Sequence, residues 1–157
     1  MKHLKVLTLA ALLVGGIATS LISQDKAELV YPEPGKTPSA EDAKVYIIGL
    51  KDGKTVPKTF TVRFGLKGMG VAPAGIYLGD EKPTGHHHLI IDEKVPDPKL
   101  PFPMSDNYKH FGGGQTEVTL TLEPGEHTLQ LVLGDHIHMV HNPPVMSKVV
   151  KIVVEDK

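Results

Sequence analysis

Apolar and polar residues alternate along much of this chain, and this period of two constrains the fold more than any other feature. Between residues 60 and 66 every second residue is large and apolar, and Thr61, Arg63 and Gly65 lie between them. Because successive side chains of a strand point to opposite faces, the pattern predicts a half-buried strand. The same alternation recurs over residues 118–122 and 129–133.

Other short stretches and the turns between them extend this prediction to the whole domain. Three more strands are predicted over residues 45–50, 86–92 and 149–155, and Asp52-Gly53 and Pro124-Gly125 supply turn chemistry. No stretch after residue 24 has the period of an amphipathic helix. The sequence therefore predicts an all-β fold, an immunoglobulin-like antiparallel β-sandwich of about seven strands. A small β-barrel is the alternative.

The N-terminus has the pattern of a secretory signal. Two lysines precede an uncharged stretch that ends at Ser23, and its apolar part, residues 6–17, is shorter than the roughly 20 residues that span a bilayer. Small residues suit cleavage after Ser20, with cleavage after Ser23 as the alternative. We therefore expect a signal peptide over residues 1–23 and a periplasmic or secreted protein. An uncleaved segment would instead make the protein membrane-anchored.

The remainder of the chain is predicted to be one domain behind a linker. Residues 24–43 hold three prolines and are expected to form a flexible linker, which leaves residues 44–157 as the folded domain. Loss of Lys2 and Lys5 with the signal leaves 15 of the 17 basic residues against 18 acidic ones, a net charge of about −3. This balance argues against a nucleic-acid binder, which needs a basic patch. The chain has no cysteine, so the fold relies on no disulfide.

Histidines are clustered in the second half of the chain. Nine are present and eight follow the predicted signal, three of them consecutive at residues 86–88. In a strand, His86 and His88 share one face, and His87 points to the other. Two imidazoles at this spacing can bind one metal ion. His87 is predicted to be a core residue or to support a ligand.

A second group of histidines lies where a strand ends and a loop begins. His138 and His141 are its candidate ligands, and His136 is an intermediate case. Two prolines follow closely and stiffen the loop, which lowers the entropy lost on metal binding. Asp135 is predicted to orient an imidazole through the second ring nitrogen.

Two histidines stand alone, and we expect different roles for them. His110 is followed by three glycines that shape a turn to present it, in a segment that lacks the Lys-Ser/Thr of a phosphate loop. His127 begins a strand of alternating leucines and is predicted to be a packed or strand-end residue. The candidate metal ligands are therefore His86, His88, His110, His138 and His141.

The donor atoms available favour copper, with zinc as the alternative. Without cysteine, a structural zinc site of the thiolate type is excluded. Imidazole suits both metals, and thioethers favour copper(I). Four methionines lie in or near the same loops: Met69, Met104, Met139 and Met146. Their alternative role is to fill gaps in the core.

Several motifs together resemble one exported bacterial family, which is catalogued as domain of unknown function 4399. The similarity covers about residues 44–155 and is carried by residues 68–75, 84–92, 110–117, 124–131 and 133–145. The resemblance implies a periplasmic or secreted domain with a histidine-rich face, and it implies no reaction. The histidines that match family positions are His86, His87, His88, His110, His127, His138 and His141. The resemblance assigns no family position to His136.

Three classes of function follow from these observations. The first is a non-enzymatic metal-binding module, for copper, that acts as a periplasmic carrier, buffer or chaperone; its partners are a metal ion and another periplasmic protein. The second is a metal-dependent enzyme, superoxide-dismutase-like or hydrolytic, with Asp92, Asp135 and Glu117 as the available carboxylates. The third is a metal-free interaction domain whose histidines shape loops or sense pH.

Overall fold

The computed structural model describes residues 30–156, which form nine strands and no helix. The strands are β1 (Lys44–Ile48), β2 (Lys54–Pro57), β3 (Thr59–Lys67), β4 (Gly70–Val71), β5 (Thr84–Ile91), β6 (Tyr108–His110), β7 (Glu117–Thr121), β8 (Gly125–Gly134) and β9 (Val150–Glu155). Within this range no helix is long and apolar enough to cross a membrane. The predicted signal peptide, residues 1–23, lies outside the described residues.

The strands form two sheets. One has three strands in the order β1-β3-β7, and the other has the order β2-β9-β8-β5-β4, with β6 also paired to β5. The pairs are antiparallel except β2 with β9 and β4 with β5. The all-β, two-sheet fold predicted from the alternating pattern is therefore confirmed, and three of the nine strands are short additions to it. Of these, β2 ends in Pro57, which lacks a backbone N–H and suits an edge strand.

The main core lies between the two sheets. It is built from the apolar positions of the alternating strands: Val45, Val56, Phe60, Val62, Phe64, Leu89, Ile91, Phe111, Leu120, Leu129, Leu131, Leu133, Val145, Ile152 and Val154. Burial of large side chains contributes about 1.5–3 kcal/mol each, so this layer fixes the register of both sheets. Here β5 contributes Leu89 and Ile91, and its intervening residues point to the opposite face.

That opposite face of the six-stranded sheet is also buried. Ile90 of β5 packs there in a smaller cluster with Phe102, Val132 and Val140. Phe102 lies in the loop between β5 and β6, and its backbone N–H donates to the carbonyl of His138 at 2.8 Å. Residues of the connecting loops therefore cover this face of the sheet next to β5.

Residues 37–39, which we call the N-terminal strap, lie against the loop that follows β8. Thr37 is 3% exposed, and its carbonyl accepts the N–H of Asn142 at 2.9 Å. Pro38 forms a parallel bridge with Asn142, and the Ser39 hydroxyl donates to the carbonyl of Pro143 at 2.9 Å. The division into signal, linker and domain stays a prediction, but this part of the predicted linker packs on the folded domain.

Candidate metal centre

Strand β5 places two imidazoles side by side. His86 and His88 are completely buried on the face of β5 that carries Ile90. Their Nε2 atoms are 3.0 Å apart, so in the neutral pair one nitrogen donates a hydrogen bond to the other. The i, i+2 spacing read from the sequence therefore produces a close pair of ring nitrogens.

Strand β6 brings the third imidazole. In the antiparallel pairing of β5 with β6, His110 is directly opposite His88, and residues opposite each other point to the same face. The ring centroid of His110 is 5.0 Å from that of His86 and 5.1 Å from that of His88. The short strand β6 thus adds its histidine to the pair from the neighbouring position in the sheet.

The loop after β8 brings the fourth imidazole. The chain turns back between Gly134 and Val140, which form an antiparallel bridge, and His138 lies near the tip of this turn with φ of 68°. The His138 ring centroid is 4.7 Å from that of His110 and 5.1 Å from that of His86. We call His86, His88, His110 and His138 the histidine cluster.

Within the cluster, three residues have the spacing of a metal site. Each of His86, His110 and His138 offers one ring nitrogen, and these three atoms lie within 4.8 Å of one another. His88 adjoins this trio through its Nε2 contact with His86. His86 is buried, whereas His110 and His138 are each partly exposed.

Buried nitrogens without partners surround the cluster. His86 Nδ1, His88 Nδ1 and His110 Nε2 are inaccessible to water and have no hydrogen-bond partner in the protein. An unpaired buried polar group costs roughly 1–3 kcal/mol, so such atoms need an explanation. A metal ion beside the Nε2 atoms of His86 and His88 would provide one for His110 Nε2, and it would leave the two Nδ1 atoms unpaired.

Glycine at position 134 makes room for the rings. Gly134 pairs with His86 across β5 and β8, and a Cβ atom there would lie 2.6 Å from His88 Nε2 and 3.5 Å from His86 Nε2. Gly112 has the same role beside His110, where a Cβ atom would fall within 2.5 Å of Nε2. The two glycines are thus required by the close approach of the imidazoles.

We expect Gly134→Ala to weaken metal binding without unfolding the domain. The added methyl group displaces the His88 ring. We expect the copper affinity to fall by about 10–100-fold, which is the usual effect of removing a contact that positions a metal ligand. Isothermal titration with copper measures the change. Gly113→Ala is the matched control, since its methyl group meets only the flexible Gln115 side chain. Equal affinity of Gly134→Ala and the parent would contradict the role given to Gly134.

Burial keeps the cluster neutral. Desolvation, with a smaller effect from the neighbouring imidazoles, lowers the pKa of His86 to about 3 and that of His88 to about 2. Desolvation also lowers the pKa of His110, again with a contribution from His138. Neutral imidazole is the form that binds metals, so protons would compete weakly with a metal for these two buried imidazoles.

Four of the five predicted ligands meet in the cluster, and His141 does not join them. Its Nε2 would be 2.9 Å from a Cβ atom on Gly85, which alternates with His86 and His88 along β5. His141 therefore lies on the other side of the sheet, and its Nδ1 is 3.1 Å from the carbonyl oxygen of Pro38. The chain passes from one side of the sheet to the other within the three residues after His138. The spacing of the histidines in the sequence did not reveal this.

The two remaining histidines near the cluster pack against aromatic rings. The His87 ring lies 5.1 Å from Phe64 in the main core, which agrees with its prediction as a core residue. The buried His136 ring is 5.1 Å from Tyr77 and 5.4 Å from Tyr31. Neither residue belongs to the trio of converging nitrogens.

His127 forms a separate polar contact at the start of β8. Its Nδ1 is 2.6 Å from a carboxylate oxygen of Asp92, and its Nε2 is 2.8 Å from the carbonyl oxygen of Glu123. Burial lowers the pKa of His127, but the Asp92 hydrogen bond, the Glu123 carbonyl and the Asp92 charge together raise it above its ordinary value. Both acceptors favour the charged imidazolium, and the contact lies at the start of β8, where the sequence predicted a packed or strand-end histidine.

We expect the contribution of His127 to stability to disappear in alkali. A raised folded-state pKa means that the contribution is complete below the unfolded value of 6.5 and is lost as pH rises through the folded value. Denaturant unfolding of His127→Gln and parent at pH 6 and pH 9 tests this. The two proteins should differ at pH 6 and converge at pH 9, and a constant difference would contradict the charged contact.

The side chains considered as additional ligands or acids have other surroundings. Met69 packs against the main core, Met104 is 72% exposed, Met146 is 42% exposed, and the methyl group of buried Met139 lies near Gly35. Thioether ligation therefore receives no support from their positions, and Met69 and Met139 agree with the alternative of gap-filling.

The three carboxylates named as potential acids or bases are also engaged. Asp92 pairs with His127, and Glu117 forms an exposed ion pair with Arg63. Asp135 accepts the Thr37 hydroxyl and the N–H groups of Ile137 and Met139, where an imidazole partner had been predicted. Its role is thus to shape the loop that carries His138.

Sequence comparison identifies the family. The family described as a domain of unknown function, DUF4399, matches residues 62–155, which is more than half of the chain. The chain belongs to this family. The DUF4399 match runs from β3 to the end of β9 and includes all four histidines of the cluster. No curated protein matches the chain.

One solved structure resembles part of this DUF4399 chain. It is the X-ray structure of the endo-β-1,4-mannanase from Thermotoga petrophila, with 18% identity and a TM-score of 0.43 over 74% of this chain and 20% of that one. The chain thus spans about a fifth of the length of the mannanase. A likeness this distant carries no argument about function.

Proposed function

We propose that this DUF4399 domain is a non-enzymatic metal-binding module that takes up copper at the histidine cluster and acts as a periplasmic carrier, buffer or chaperone. One observation carries the proposal: ring nitrogens of His86, His110 and His138 lie within 4.8 Å of one another, next to His88. The trio supplies three ligands, and His88 supplies a fourth nitrogen beside them.

The distances suit metal ligation. Two nitrogens bound to one ion at about 2.0–2.1 Å with tetrahedral angles lie about 3.3 Å apart. The Nε2 atoms of His86 and His88 are 3.0 Å apart, and the trio needs only small ring rotations to close from 4.8 Å. Because the buried rings are already held in place, little ordering entropy opposes binding.

The donor set favours copper. For a site of given nitrogen ligands, affinity among divalent first-row metals is highest for copper. Neutral imidazole also binds copper(I), and the trio includes no carboxylate that would favour harder cations. Zinc is the alternative metal, since three histidines also form zinc sites.

The surroundings favour binding over catalysis. A hydrolytic site needs an acid or base within reach of the metal-bound water. Asp92, Asp135 and Glu117 each have another partner, as described above. The partial exposure of His110 and His138 fits a site from which a partner protein withdraws the ion.

Titration of the mature chain (residues 24–157) with copper tests the proposal. Copper(I) with a competing chromophoric chelator, copper(II) and zinc are each added to metal-free protein. We expect about one copper ion per chain for the parent and a loss of affinity of about 100-fold or more in His86→Ala/His110→Ala, beyond what loss of an outer-shell contact causes.

His127→Ala is the matched control. It removes an imidazole that has its own partners outside the cluster, so the copper affinity of this variant should equal that of the parent. If the double variant binds copper as tightly as the parent, the proposed site is wrong. Circular dichroism at the titration temperature establishes that both variants are folded.

A further inference from the structure

We infer that Thr37 is a positioning residue for His138, and that it acts through the carboxylate of Asp135. This inference rests on the proposed function, because the position of His138 matters only if the histidine cluster binds metal. It assigns to the N-terminal strap, which precedes the first strand, a part in building the metal site.

The turn that carries His138 is organised by one carboxylate. Oδ1 of Asp135 accepts the N–H of Ile137 at 2.9 Å and the N–H of Met139 at 2.8 Å. The backbone closes the same turn, since the N–H of Asp135 donates to the carbonyl of Met139 at 2.8 Å and the N–H of His138 donates to that of Asp135 at 3.0 Å. The residues on both sides of His138 are therefore fixed to Asp135.

The backbone of His138 requires this support. Its φ of 68° lies in the left-handed region, which residues other than glycine occupy only when their surroundings stabilise it. In that conformation the ring reaches His86 and His110, at centroid distances of 5.1 Å and 4.7 Å. Without the two N–H bonds to Asp135, the backbone is free to relax toward negative φ, which turns the ring away.

Thr37 completes the hydrogen bonding of this carboxylate. Asp135 is completely buried, and its Oδ2 accepts the Thr37 hydroxyl at 2.6 Å. Among residues 30–156, no lysine or arginine forms an ion pair with Asp135. A buried carboxylate without a cation depends on such hydrogen bonds, so the Thr37 hydroxyl holds the charge in place.

The rest of the strap holds the second half of the loop. The carbonyl of Thr37 accepts the N–H of Asn142, and the carbonyl of Pro38 lies 3.1 Å from His141 Nδ1. These contacts fix the strap next to the loop, so the hydroxyl of Thr37 meets Asp135 at a defined point. His141, which is absent from the cluster, thus contributes to the same support.

Three single variants of the mature chain test the inference. Thr37→Val keeps the shape of the side chain and removes the hydroxyl, Thr37→Ser restores the hydroxyl, and Ser39→Ala removes the other hydroxyl of the strap, which bonds to Pro143 away from His138. Copper(I) affinity is measured by chelator competition. We expect a loss of about 10–100-fold for Thr37→Val, rescue by Thr37→Ser, and affinity within about twofold of the parent for Ser39→Ala.

Hydrogen exchange supplies a readout that needs no metal. In the metal-free parent, the amides of Ile137 and Met139 should be protected because they donate to Asp135, and they should exchange faster in Thr37→Val but not in Ser39→Ala. Unprotected amides in the parent, or parental copper affinity in Thr37→Val, would overturn the inference. A parent that binds no copper refutes the metal site itself, whereas the exchange data then still decide whether Thr37 holds the loop.

Discussion

Saturating copper is expected to raise the melting temperature of the metal-free mature chain by roughly 10 °C. A ligand at 100 times its dissociation constant that binds only the folded state stabilises it by about 2.7 kcal/mol. For a domain of about 130 residues, each kcal/mol corresponds to a shift of roughly 3–5 °C. Differential scanning fluorimetry with and without copper measures the shift.

Two variants distinguish copper bound at the histidine cluster from copper bound elsewhere on the chain. His86→Ala/His110→Ala loses two of the three converging ligands and should show almost no shift, although its other histidines remain. His127→Ala should shift like the parent, because its imidazole is bound to Asp92 and Glu123. Equal shifts in all three proteins would mean that copper acts elsewhere on the chain.

The second large effect is a loss of stability in mild acid when no metal is bound. Burial lowers the pKa of His86 to about 3 and of His88 to about 2, whereas both rings titrate near 6.5 in the unfolded chain. Between these values the unfolded state binds more protons than the folded state, so acid favours unfolding. At pH 5 the loss is about 2 kcal/mol for each ring, or about 4 kcal/mol in total.

Urea unfolding at pH 7.5 and pH 5 in the presence of a chelator tests this effect. His88→Phe removes one buried titrating ring while it keeps an aromatic side chain against Phe102, so this variant should lose less stability between the two pH values than the parent. His127→Ala should not show this smaller loss, since its pKa is shifted in the other direction. Identical unfolding free energies of the parent at both pH values would show that His86 and His88 are not buried as neutral rings.

The sequence predicted the six strands of five or more residues, and it missed the three shorter ones, β2, β4 and β6. The 60–66 pattern lies within β3, and the 118–122 pattern overlaps β7 and runs one residue past its end, because half-buried strands leave a period of two in the sequence. Strand β6, Tyr108–His110, has only three residues and was not among the predicted strands. So short a strand forms because it pairs with β5, and no pattern in its own residues indicates it.

Strand geometry accounts for the proximity of His86 and His88, and this part of the cluster could be read from the sequence. The two residues share a face because of their i, i+2 spacing, and the three glycines after His110 indicated a turn that presents this histidine. His141 was grouped with His138 because the two are neighbours in sequence, but the intervening chain crosses to the other side of the sheet. Sequence distance in a loop does not specify on which side of a sheet a side chain lies.

Gly134 and Thr37 carry roles that only the fold reveals. Gly134 is one glycine among 16, and its function depends on His86 lying opposite in the register of β8 with β5. Thr37 is 98 residues from Asp135, so nothing local to either residue indicates their hydrogen bond. Contacts of this kind depend on tertiary structure and have no period or motif.

The strap changes where the functional unit of this chain begins. A truncated chain that starts at Lys44, the first residue of β1, would keep every strand and every histidine of the cluster. It would lack Thr37, and a buried carboxylate would face the interior with one oxygen unpaired. Even when it folds, such a fragment would bind metal more weakly than the longer chain. A fragment made for binding measurements should therefore begin before residue 37, although the first strand begins seven residues later.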